Sequence, residues 1–117
     1  MGNPRYRNGN ARRRARQRWE AQGLPCCICG RRIDYTLKAP DPLSFVVDET
    51  IALARGGTLT YDNQGPAHWW CNRIKSTHSL AWAREKVRHL IASGDSPFTT
   101  PQPQPVVRSS DWFGQGE

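Results

Sequence analysis

The chain has no long apolar run, a low hydrophobic content and few acidic groups, and each shortage excludes something. No stretch approaches the roughly 18 consecutive apolar residues of a membrane-spanning helix, and the arginine-rich beginning contains no apolar segment of the kind that directs secretion. With 37% hydrophobic residues and a mean hydropathy of -0.74, a chain of 117 residues can bury only a thin core. Domains of this size ordinarily need a staple, either a metal or disulfides. The candidates are Cys26, Cys27, Cys29 and Cys71. A cytosolic, reducing location is expected, and there clustered cysteines bind metal more often than they form disulfides.

The charge is unevenly spread. Arg5, Arg7, Arg12, Arg13, Arg14, Arg16 and Arg18 stand against Glu20 alone, a balance of +6 within a total of +7. Guanidinium forks fit phosphate oxygens, so a basic arm of this density points to nucleic acid, with a merely solvated tail as the bland alternative.

Residues 1–8 carry Gly, Pro and Asn and are expected to be disordered. From Ala11 to Gln22 the residues are good helix formers, Trp19 is the only large apolar side chain among them, and Gly23 supplies a stop. This segment is either a helix docked through Trp19 or an arm that orders on DNA. Pro25 to Ile33 contains a Cys-x-x-Cys knuckle. Residues 34–44, with Pro40 and Pro42, should form a loop, and Ser44 to Asp48 is the best strand. Gly56-Gly57 breaks it into a turn-rich loop. A short second strand is expected near Gln64 to Pro66, then a helix from His68 to about Thr77. A further helix is expected from Ser79 to Ala92, with Leu80, Ala83, Val87, Leu90 and Ile91 as its apolar stripe. The Pro/Gln-rich end from residue 97 reads as a disordered tail, and its Trp112-Phe113 pair either docks or hangs free.

Cys26 and Cys29 form one ligand pair; His68 and Cys71 repeat the same gap after 38 intervening residues. Thiolates and imidazole at two matched knuckles are what tetrahedral zinc takes, and four protein ligands leave no open position, so this zinc would be structural. Cys26 is preferred to Cys27 because a one-residue gap to Cys29 would strain the knuckle. Cys27 is left as a half-buried neighbour.

The stretch Val47-Asp48-Glu49-Thr50, Arg55-Gly56-Gly57, Asp62-Asn63 and His68-Trp69-Trp70-Cys71-Asn72-Arg73-Ile74-Lys75 resembles the HNH endonuclease signature over roughly residues 24–76. It looks most like small phage or prophage HNH proteins. The resemblance implies a small α+β fold: a ββα-metal, treble-clef-like core with a structural zinc knuckle, flanking helices and a disordered tail. The expected layout is a basic arm (1–22), a zinc-stapled domain (23–96) and a tail (97–117). By the same resemblance, Asp48 and Asn72 would hold catalytic Mg²⁺ or Mn²⁺, both being hard oxygen donors. Asn63 would brace the loop. Glu49 stands where the family puts a general-base His, and it either acts as base, ligates a second ion or turns away along the strand. Arg55, Arg73 and Lys75 would face phosphates, together with Arg12, Arg13, Arg14, Arg16 and Arg18 of the arm. The implied activity is metal-dependent cleavage of double-stranded DNA in a bacterial host cell, with a phage terminase large subunit as a further partner. The alternative is a non-cleaving zinc module that binds DNA or such a motor.

Overall fold

The computed structural model describes residues 4–98, with side chains from residue 9 onward. Three α-helices and a two-stranded sheet follow in the order α1 (Pro4–Gln22), β1 (Phe45–Glu49), β2 (Gln64–His68), α2 (Trp69–Lys75) and α3 (Leu80–Ala92). Strand, loop, strand, helix is the expected order, in a small α+β chain. Among the described residues no helix is long and apolar enough to cross a membrane.

The strands pair antiparallel, with Phe45 opposite His68 and Asp48 opposite Gly65. β1 is rich in β-branched and aromatic residues, which suit a pleated, half-buried surface. β2 looks unpromising in sequence, since Gly65 and Pro66 both weaken a ladder. It forms because its outer edge is occupied: the Pro66 carbonyl accepts from the Cys27 amide at 2.8 Å. The cysteine knuckle thus covers the edge of β2. Gly65 fits this close approach, since a Cβ there would stand 3.1 Å from Cys27 Sγ.

α2 is shorter than expected, because Ser76 takes a left-handed φ of 50° and ends it at Lys75. The amides of Trp69 and Trp70 are satisfied by the carbonyls of Ser44 and Pro42, both at 2.8 Å. Unpaired donors at a helix start are thereby removed, and α2 is tied to the loop before β1. Ser79 caps α3 by accepting from the Trp82 amide at 3.0 Å. Four of the five residues of the expected apolar stripe form the buried face of α3, with Ala83 and Val87 fully enclosed and Leu80 and Ile91 beside them, while the half-buried Leu90 stands outside that cluster.

Two expectations need correction. Residues 1–8 do not read as disordered throughout, since the helical backbone begins at Pro4. A proline's fixed φ suits the first helical position, and its missing N–H costs nothing there. Residue 98 also departs from the disordered tail expected from residue 97, because Phe98 packs edge-on against the His68 ring at 5.2 Å. Pro101 to Pro105 and the Trp112-Phe113 pair lie outside the described residues.

Of the two alternatives for the arm, the structure gives the docked helix. Ala15 and Trp19, one turn apart, are the buried residues of α1 among those whose side chains are described. Trp19 stacks on Tyr61 with centroids 4.4 Å apart, and its Nε1 donates to Gln64 Oε1 at 3.1 Å. Burying an aromatic ring of this size stabilises by roughly 1.5–3 kcal/mol, enough to seat a helix whose other side chains are mostly in solvent.

Candidate functional site

The sulfurs of Cys26, Cys29 and Cys71 and a ring nitrogen of His68 all lie within 4.8 Å of one another. They come from three places: the knuckle, the last residue of β2 and the first turn of α2. The knuckle is shaped by its own backbone, with Gly30 at φ 81° and its amide donating to the Cys26 carbonyl at 2.9 Å. That left-handed position favours glycine. The turn aims the Ile28 and Cys29 amides at Cys26 Sγ, each at 3.4 Å, and the Arg31 amide at Cys29 Sγ at the same distance.

His68 is oriented for ligation. Its Nε2 lies 3.0 Å from the Arg32 carbonyl, which can only accept, so Nε2 carries the proton. Nδ1 is then a bare lone pair, and it faces Cys29 Sγ at 3.4 Å and Cys71 Sγ at 3.9 Å. An outer partner that fixes the tautomer in this way is the usual companion of a metal-bound imidazole. The thiols share protons unevenly. Burial would raise Cys26, but hydrogen bonds from Cys29 and Cys71 outweigh it and hold that thiol well below its ordinary value. Donating to Cys26 raises Cys29 and Cys71 in turn. A cation would replace those protons, and this donor set could bind zinc. Cys27 stands outside the set; burial raises its thiol, and its carbonyl accepts from Arg84 Nε at 3.1 Å.

Asp48 and Glu49 are neighbours on β1 and meet different elements. Asp48 is 2% exposed, and its Oδ1 lies 3.4 Å from the ammonium of Lys75, itself 1% exposed. Asp48 Oδ2 is buried without a hydrogen-bond partner. Burial pushes the Asp48 carboxyl up to about 6, against the pull of Lys75. The phosphate-facing position expected for Lys75 therefore does not hold, since its ammonium points inward and donates to the Glu49 carbonyl at 2.8 Å. Four residues after the buried Cys71, Lys75 falls on the inner face of α2. Asn72 is half-buried on the first turn of α2, three residues before Lys75.

Glu49 lines an open cleft of about 220 Å³ between α1 and the sheet, together with Arg12, Arg16, Val46, Val47 and Gln64. Asn63 braces the loop that follows. Its Oδ1 accepts from the Ile51 amide at 2.9 Å, and its Nδ2 donates to the carbonyls of Ile51 and Thr58 at 3.0 and 2.9 Å. Gly57 lets the loop close, since a side chain there would collide with the Ile51 carbonyl. Arg13, Arg14, Arg18, Arg55 and Arg73 are exposed. Arg18 lies over Tyr61 and Arg73 over Trp69, each 5.0 Å from the ring centroid.

The sequence reading missed Gln64, Tyr61 and Phe98. Phe98 also receives the Arg31 guanidinium at 4.7 Å, so it covers the outer side of the cysteine cluster. Its only signal in sequence is an isolated aromatic in a polar segment. No protein-family model, curated protein or solved structure matches the chain.

Proposed function

We propose that this chain is a metal-dependent DNA endonuclease of the HNH type, with a structural zinc at Cys26, Cys29, His68 and Cys71. The observation that supports it most is on β1. Asp48 carries a buried carboxylate oxygen with no partner, and the next residue opens onto an arginine-lined cleft. An unmatched anionic oxygen is a deficit that a hard cation relieves, so Asp48 suits Mg²⁺ or Mn²⁺, with Asn72 of α2 as the second oxygen donor that the resemblance implies. Such an ion, when bound, supplies positive charge for the phosphoryl oxygens and the departing 3′ oxygen. Glu49 takes the proton of the attacking water. Asn63 fixes the backbone immediately after Glu49 and so holds the base in register. The arginines of α1, with Arg55 and Arg73, attract the phosphate backbone. The proposed partner is double-stranded DNA, and the resemblance to phage proteins adds a terminase large subunit.

One observation favours a second reading, a zinc module that binds DNA without cutting it. The Lys75 ammonium already balances Asp48, which is what a site without a second metal would need. Plasmid nicking in Mn²⁺ separates the two. The nuclease reading expects the native protein to nick and Asp48→Ala to fail while both bind DNA equally. Binding without nicking by the native protein favours the module.

A further inference from the structure

We infer that Arg12 and Arg16 form a clamp for a single nucleic-acid backbone phosphate in the cleft beside Glu49, distinct from the general attraction of the basic arm. The inference rests on the nucleic-acid part of the proposed reading and not on cleavage.

Arg12 and Arg16 are four residues apart on α1, so their side chains rise from one face of the helix. Like charges at that spacing repel unless an anion sits between them. Arg16 is held in place: its Nη1 donates to the Phe45 carbonyl at 3.2 Å and its guanidinium lies over the Phe45 ring at 4.8 Å. The remaining donors of that fork are aligned before any ligand arrives, which lowers the cost of ordering them. Gln64 is held in place as part of the wall, because its Oε1 accepts from Trp19 Nε1 and its Nε2 donates to the Leu59 carbonyl at 3.2 Å. Val46 and Val47 give the cleft apolar side chains, where a charge-assisted hydrogen bond is stronger than in water.

Glu49 shares the cleft, yet among the described residues it forms no ion pair with either arginine. Two guanidiniums against one carboxylate leave the cleft one unit positive. A phosphodiester carries one negative charge and offers two anionic oxygens, one for each arginine. The cleft thus matches a diester in charge and in donor number, and it has room for the group at about 220 Å³. A phosphate held there would lie beside the carboxylate of Glu49, so α1 would present the backbone to β1 as well as recruit it.

The test uses the full chain with its zinc and without Mg²⁺ or Mn²⁺, and the thymidine dinucleotide dTpdT as probe, followed by NMR of arginine Nε–H signals. Expected are shifts at Arg12 and Arg16, and a loss of about tenfold or more in affinity for Arg12→Gln/Arg16→Gln. Lys38→Gln/Lys86→Gln, which removes the same charge elsewhere, should leave affinity within about twofold. Because Arg16 also anchors β1, Arg12→Gln alone, at a side chain with no hydrogen bond or ion pair among the described residues, should still lose several-fold. Equal loss in the clamp and control pairs, or no dTpdT binding by the native protein, overturns the clamp. Cleavage fails separately: a native protein that never nicks DNA but binds dTpdT through these two arginines keeps the clamp and loses the nuclease.

Discussion

The ammonium of Lys75 reaches from the last residue of α2 to two neighbours on β1 at once, lying 3.4 Å from Asp48 Oδ1 and donating to the Glu49 carbonyl at 2.8 Å. One buried cation thus ties helix to strand and stands beside the carboxylate on which the proposed chemistry depends.

Removing that cation should be costly. Lys75→Met keeps the length and leaves Asp48 buried without a countercharge, a change that typically costs roughly 3–5 kcal/mol. The loss should be larger at pH 8 than at pH 5, because at low pH Asp48 can take up a proton instead. Urea denaturation at the two pH values measures it. An equal loss at both would mean that Lys75 contributes packing alone.

The native protein has its own pH signature. The Asp48 carboxyl is raised from 3.8 to about 6, chiefly by burial. Between those values the folded chain keeps a proton that the unfolded chain has released. Stability in buffer free of divalent ions should therefore fall as pH rises from about 4 to about 6, by at most about 1.4 kcal/mol per unit, and be flat above. In Asp48→Asn that slope should vanish, with thermal unfolding across the range as the measurement.

Metal analysis should find one zinc per chain. Cys71→Ala or a strong chelator should unfold the region from the knuckle to α2, since in small metal-stapled folds the binding energy is largely the folding energy. Circular dichroism with and without added zinc reads this out. A Cys71→Ala protein that kept its fold and its zinc would remove the staple from the account.

Asn63→Ala removes three hydrogen bonds to the backbone of Ile51 and Thr58. Because the loop is solvent-exposed, the global cost should be only about 1–2 kcal/mol. The local effect should be sharper, with the Ile51 amide exchanging with solvent much faster while the α3 amides keep their protection. Unchanged exchange at Ile51 would show that Gly57 and the turns close the loop without Asn63.

Glu49 carries the heaviest load in the proposed chemistry. Glu49→Gln keeps the shape and loses the basicity, so nicking should disappear while zinc content and DNA affinity stay. Glu49→His should preserve or raise activity by about tenfold, with the pH limb moving toward about 6.5. Full activity in Glu49→Gln would rule it out as the base.

The readable parts of this chain were those whose physics is local. Cys26, Cys29, His68 and Cys71 declare themselves through matched spacing, β1 through its branched residues, and α3 through its stripe ending at Gly94. Lys75 was misread because a lysine near a helix end ordinarily lies in solvent. Its four-residue step from Cys71 was the available clue, and only the packing of α2 on β1 gave it weight. The seat of α1 was equally hidden. Trp19 was visible as an anchor, but its receptors Tyr61 and Gln64 lie in a turn and at the start of a strand containing Gly and Pro, and their roles exist only once the chain has folded back. The helix start at Pro4 was lost to the reputation of Pro, Asn and Gly as breakers.

β2 serves as a common splint. Within five residues it holds Gln64, on which Trp19 seats the arm, Pro66, which grips the knuckle, and His68, which belongs to the metal cluster. The Cys/His cluster and the arginines of α1 are thus fastened to the same short rail. If the cluster holds zinc and the arginines hold DNA, as proposed, a chain deprived of zinc would keep every arginine and its salt-sensitive attraction, but the helix that bears them would lose its bearing relative to Glu49. Metal status would then govern where the positive charge is held and not how much of it there is.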